Sequence, residues 1–178
     1  MAATRRETAP KRKVEPPLAD QPPRSVGFLI SQLGFVSSRG FVEALRPLGI
    51  GPREWALLRF VAAEEGQSQH ALAERLGLPP SRMVALVDQL EEGGLIERRP
   101  HPDDRRIRAL HLTRKGRSIL QRALEIAIEF EGELCAALSE KERDRLIDLL
   151  QKLQAGRIDR PGVHPGLAAD HAGGSFQN

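Results

Sequence analysis

The sequence has no tyrosine, one tryptophan and six phenylalanines among 178 residues. Any core must therefore be built mainly from aliphatic side chains. A single cysteine, Cys135, excludes an intrachain disulfide framework. Long apolar runs are also missing. The longest uncharged stretch, Ser25 to Ser38, has 14 residues, short of the roughly 20 that a membrane-spanning helix needs. The N-terminus, MAATRRETAPKRKVEPP, carries charges with no apolar stretch of signal-peptide type behind them. A cytoplasmic protein with no membrane partner is expected. No phosphate-binding glycine loop, metal-ligand spacing or nucleophile motif is present, and His70, His101, His111, His164 and His171 do not share one helical face. The expectation is a protein without catalytic residues, metal or cofactor, and so not an enzyme.

Charge is present, and it is unevenly placed. The net charge is +3. Residues 94–117 hold eight basic and three acidic groups, and residues 1–24 hold six and three, whereas the rest of the chain has thirteen and eighteen. A focused positive segment on an otherwise negative chain is what a local polyanion contact requires. Arginine outnumbers lysine 22 to 5, which a GC-rich coding bias would also produce. Such a bias accounts for the total and not for the clustering.

Residues 1–24 contain five of the thirteen prolines and few large apolar side chains, so they read as a disordered arm. Residues 156–178, with five glycines, two prolines and little periodicity, read as a disordered tail. Between them, apolar residues at Val26, Leu29, Leu33, Val36, Ala44 and Leu48 predict a first helix, with Gly34 and Gly40 as its weak points. Pro52 opens a second, striped by Trp55, Leu58 and Ala62 and stopped by Gly66. Ser68 caps a short third helix, Gln69 to Leu76, with Ala71, Leu72 and Leu76 inward and Gly77 ending it. Pro80 starts a fourth, whose Met83, Leu86, Val87 and Leu90 share one face. Two short helices about a Gly-Leu-Pro turn are compatible with a helix-turn-helix or with an ordinary helical hairpin. Strand character over Leu95–Arg99 and Arg108–Thr113, around the turn-rich Pro100–Asp104, favours a helix-turn-helix followed by a basic wing. Thr113 then caps a fifth helix with two apolar stripes, and Ser139 with Glu142 forms a capping box opening a sixth that carries Leu146, Leu149, Leu150 and Leu153. The expected fold is mainly α with a small β-wing. A winged helix-turn-helix lobe over 51–116 is flanked by dimerisation helices over 25–48 and 117–155, within one domain spanning 25–155.

The stretch SQHALAERLGLPPSRMVALVDQLEEGGLIERRPHPDDRRIRALHLTRKGR resembles the MarR family of winged-helix transcription regulators. Its most specific part is D-R-R-x-R-x-L-x-L-T-x-x-G following L-x-x-x-G-L-I-x-R. The resemblance extends loosely over Val26 to Leu153. It implies a homodimer that binds double-stranded DNA, usually a repressor released by a small aromatic or acidic molecule. By position it places the fourth helix in the major groove, where the residues off its apolar face are Ser81, Arg82, Ala85 and Gln89. Arginine can pair with guanine, glutamine with adenine, alanine can touch a thymine methyl, and serine can bond a base or a phosphate. The position of Ala85 is commonly polar or basic in the family, which weakens direct readout there. In the wing, Asp104 and Arg106 match a family pair in which the carboxylate preorganises an arginine for the minor groove. Arg105 and Arg108 are expected phosphate contacts.

Arg114, Lys115 and Arg117 lie where the dipole of the fifth helix disfavours cations, so they are candidate secondary phosphate contacts. Ser68 and Gln69, at the start of the third helix, are further candidates, with Ser68 serving at least as the cap. For an effector, the resemblance points to a cleft bordered by the first two helices, lined by Gln32, Val36, Trp55 and Arg59. Trp55 there is also compatible with plain core. Peroxide-sensing relatives use a first-helix cysteine supported by tyrosines, so Cys135 reads as a small buried hydrophobe. Alternative functions with the same fold are a ligand-independent regulator, an activator, or a winged-helix adaptor that binds protein.

Overall fold

The computed structural model describes residues 24–101, 107–160 and 162–167. The chain forms two compact units, one up to Val36 and one from Ser37 onward. The first contains the opening turns of α1 (Val26–Leu45), where the Ser25 hydroxyl accepts the Phe28 N–H at 3.4 Å. Val26, Phe28, Leu29, Ile30, Leu33, Phe35 and Val36 are all exposed there. Helix α1 ends three residues earlier than its apolar pattern predicts. Pro47 has no N–H to continue the ladder, so Arg46–Leu48 tightens into a 3₁₀ turn, and Gly49 closes it at φ 68°.

In the second unit α2 (Pro52–Ala63), α3 (Gln69–Leu76) and α4 (Pro80–Glu92) precede a hairpin of β1 (Ile96–Pro100) and β2 (Arg108–Leu112), and α5 (Arg114–Leu134) and α6 (Glu140–Gln154) follow. The strands are antiparallel, with Ile96 opposite Leu112 and Arg98 opposite Leu110. Strand β2 also holds the α2–α3 turn: Gly66 N–H donates to Leu110 O at 3.0 Å and Leu110 N–H donates to Gln67 O at 2.9 Å. This is a winged helix-turn-helix, mostly helical with a two-stranded sheet.

Its core is aliphatic. Met83, Leu86, Val87 and Leu90 of α4 are all buried as their spacing predicts, together with Leu95, Ile96, Leu110 and Leu112 from the hairpin and its entry. Two stripes depart from expectation. In α2 the buried residues are Leu57, Leu58 and Val61, and Ala62 is exposed. Burying leucine and valine removes more apolar area from water than burying alanine, and that sets the helix's rotation. In α3, Ala73 is buried and Ala71 exposed. Leu72 and Leu76 define the inward direction, and at roughly 3.6 residues per turn Ala73 lies nearer to it. Gly40, read as a weak point, is a close-packing site: a Cβ there would lie 2.8 Å from the Phe130 ring.

Residues 156–160 and 162–167 of the tail depart from the expected disorder. Pro165–Leu167 forms a 3₁₀ turn, Leu167 is 3% exposed within the core, and Val163 packs against it. Arg53 Nε donates to Gly166 O at 3.2 Å. A segment poor in periodicity can still be held by one well-placed leucine, a signal too short for pattern reading.

Candidate nucleic-acid interface

The α3–turn–α4 unit is built by local chemistry. Ser68 Oγ accepts the Ala71 N–H at 3.1 Å and caps α3. Gly77 leaves it at φ 65°, a left-handed conformation that favours glycine, and Leu78 N–H returns to Ala73 O at 2.9 Å. Pro79 and Pro80 then start α4. With its four apolar residues buried, the helix presents Ser81, Val84, Ala85 and Gln89 to solvent. Three of these belong to the expected contact set. Val84, 43% exposed, was missed, although its phase off the buried stripe is visible in the sequence. Arg82 is only partly exposed and its Nη1 is buried.

Arg98, which sequence reasoning left as one cation among several, ties the wing to both helices. Its guanidinium makes ion pairs with Asp88 and Glu91 of α4. Its Nε and Nη2 donate to Gln69 Oε1 of α3 at 3.3 and 3.2 Å, and its backbone N–H donates to Glu91 at 3.0 Å. Burial opposes the charge on this group, but the hydrogen bonds to Asp88 and Glu91 outweigh it and raise the pKa above the ordinary arginine value. Gln69, a candidate phosphate contact, thus has its side-chain carbonyl engaged by Arg98.

The start of α5 locks to the entry of the hairpin. Thr113 Oγ1 accepts the Gly116 N–H at 2.9 Å and donates to Gly94 O at 2.6 Å. A Cβ on Gly116 would collide with the Leu95 carbonyl, which explains glycine in a helix's first turn. The basic residues sort into two groups. Lys115 Nζ donates to Gly93 O at 2.8 Å. Arg117 pairs with Glu65 at 2.7 Å, and His111 Nδ1 lies 3.7 Å from the same carboxylate. Arg99 pairs with Glu97 at 2.5 Å. Arg108 and Arg114 are exposed and, among the described residues, form no ion pair. Asp104, Arg105 and Arg106, the expected tip of the wing, lie outside the described residues.

Of the expected effector residues, Trp55 and Arg59 come together. The Arg59 guanidinium carbon sits 4.7 Å from the centroid of the Trp55 ring. Phe41 meets Trp55 edge-on at 5.1 Å and lies 5.5 Å from Phe130. Trp55 Nε1 is buried with no hydrogen-bond partner among the described residues. Gln32 and Val36 belong to the other unit. Phe41 and Phe130 complete an aromatic cluster that single-helix periodicity did not reveal. A separate open groove of about 650 Å³ runs past Glu64, Glu65, Ser68 and His101.

The MarR family model matches residues 48–107, which include α2, α3, α4 and β1. A putative transcriptional regulatory protein for the hcr operon of Thauera aromatica is 35% identical over 143 residues, which cover 76% of this chain and 86% of that protein. The chain belongs to the MarR family. Members of this family are transcriptional regulators and not enzymes, and a DNA-binding role follows for this MarR protein. Among solved structures it is similar to the transcriptional repressor CouR bound to a 23-mer DNA duplex, with 31% identity, TM-score 0.64, and coverage of 72% of this chain and 92% of that one. CouR from Rhodococcus jostii RHA1 bound to p-coumaroyl-CoA is 30% identical, with TM-score 0.61 and coverage of 75% and 94%. Among the described residues of this MarR protein, no helix is long and apolar enough to cross a membrane.

Proposed function

We propose that this MarR protein is a cytoplasmic homodimeric repressor that binds a pseudo-palindromic operator, with half-sites about one helical turn apart, and is released by a small aromatic acid or its thioester. The observation that carries this reading is the solvent face of α4. Ser81, Val84, Ala85 and Gln89 stand outward on a helix whose opposite side is wholly buried and whose base is clamped by Arg98. Arg108 and Arg114, lacking carboxylate partners among the described residues, supply phosphate contacts, and Asp104, Arg105 and Arg106 extend them into the minor groove. Lys115, Ser68 and Gln69 contribute less, because each already has an intramolecular bond.

The dimer is supported by apolar residues left on α5 and α6, where Leu124, Ile128, Leu146, Leu149, Leu150 and Leu153 are exposed. Release by an aromatic ligand is supported by the Trp55–Arg59 pair and by the p-coumaroyl-CoA held by CouR. The ligand would act by preferring a lobe spacing that does not fit DNA.

The test is selection of a bound duplex from a random library, followed by titration of the complex with p-coumaroyl-CoA and with free p-coumarate. Enrichment of one short inverted repeat, released by either compound at micromolar concentration, supports the reading. Absence of any enriched repeat rejects it.

A further inference from the structure

The C-terminal segment returns to the DNA-reading lobe, and it brings a cation with it. Leu167 is buried in the core, Val163 packs on the same cluster, and Gly166 O accepts a hydrogen bond from Arg53 at the start of α2. Within the segment, Val163 N–H donates to Arg160 O at 3.2 Å and Leu167 N–H donates to His164 O at 2.9 Å. These bonds hold Arg160 against the turn between α3 and α4. The guanidinium lies so close over Gly77 that a Cβ on that residue would collide with it. Gly77 is required for its φ of 65°, and the absence of a Cβ leaves room for this approach.

Arg160 shares with Arg108 and Arg114 the lack of an ion pair among the described residues. Arg75, Arg98, Arg99 and Arg117 are each paired with a carboxylate. Arg160 is exposed and forms no ion pair among the described residues. Its guanidinium lies over Gly77, three residues before α4 begins, with no carboxylate partner among the described residues.

We infer that residues 157–160 and 162–167 are a working part of the DNA-binding lobe, a strap that presents Arg160 to a backbone phosphate at the rim of the groove that receives α4. The inference rests on the proposed docking of α4 in the major groove. If Ser81 and Ala85 face base edges, the turn that precedes them stands beside the phosphate line, and the guanidinium on that turn meets it. A preplaced cation loses less rotamer freedom on binding than a free one.

The salt dependence of DNA affinity separates a phosphate contact from a structural role. Using the full chain and the selected duplex, the slope of log affinity against log salt is measured for wild type, Arg160→Gln, Arg160→Lys and Leu167→Ala. Each phosphate contact contributes about 0.9 to that slope. Arg160→Gln is expected to lower its magnitude by about two contacts, one from each lobe of the proposed dimer, with an unchanged thermal midpoint, and Arg160→Lys to restore it. Leu167→Ala frees the strap and is expected to remove the same contacts, so that Arg160→Gln has no further effect in that background. An unchanged slope in Arg160→Gln overturns the inference whatever Leu167→Ala does, and because the substitution is on the surface, misfolding does not obscure it. Failure of the wild-type chain to bind any duplex would instead overturn the docking on which the inference rests.

Discussion

Arg98 joins three elements at once, and its removal would leave Asp88 and Glu91 as neighbouring like charges on α4. Its side chain is 20% exposed while the two carboxylates are 49% and 39% exposed, so solvent screens part of the loss. Arg98→Ala is expected to lower stability by about 1–2 kcal/mol and to weaken DNA binding beyond what unfolding explains, since α4 and the wing lose their common tie. Urea midpoints and affinity on one duplex check both. A stable variant with unaltered affinity would show that α4 is positioned by its buried face alone. Val84 makes a different claim. A β-branched, exposed valine is a poor choice for helix stability, but beside Ala85 it forms an apolar step suited to thymine methyl groups. Replacing thymine by deoxyuridine in the selected half-site is expected to reduce affinity several-fold for wild type, and less for Val84→Ala. Equal loss in both proteins would remove Val84 from readout.

At the scale of elements, end signals were more legible than rotations. Ser68, Thr113 and Ser139 cap the helices they were expected to cap, because a cap is a single side chain bonded to a backbone three residues away. The faces of α2 and α3 were misjudged at Ala62 and Ala71, because a small residue fits either side and the larger neighbours decide. Arg98 and the Leu167 strap were unreadable for another reason: their partners are distant in the chain, and no local pattern reports them. The capping box on α6 also makes a pH prediction. Hydrogen bonds from the Ser139 hydroxyl and backbone N–H hold the Glu142 carboxyl below its ordinary value of 4.5. A carboxyl with a depressed pKa in the folded state contributes stability that is fully present above its ordinary value and is lost as pH falls through the depressed one. Stability of α6 is therefore expected to fall below about pH 4.5, and Glu142→Gln to flatten that part of the profile. An identical acid limb in the variant, followed by helical circular dichroism, would exclude Glu142 as a contributor.

For the whole molecule, the decisive quantity is apolar surface left without cover. Helix α6 has no buried residue, yet Leu146, Ile147, Leu149, Leu150 and Leu153 lie between 40% and 44% exposed. An isolated chain would hold this stripe in water at a cost of roughly 25 cal/mol per Å² of apolar area, and partial exposure of five large residues on one short helix is the pattern of an interface opened on one side. The second copy proposed above would cover it and would also account for the reading of DNA. One lobe offers few phosphate contacts once Lys115, Arg99 and Arg117 are discounted as internally bonded, and a symmetric pair doubles those that remain, Arg108 and Arg114 among them. Leu146 and Leu150, one turn apart, sit on the same face. Leu146→Asp combined with Leu150→Asp is expected to shift the sedimenting species from two chains to one, and to reduce affinity for the full inverted repeat to nearly that for a single half-site. Retention of the two-chain species by this variant would place the interface on other helices, whereas tight binding of the full repeat by a proven monomer would mean that the lobes read DNA independently of any pairing.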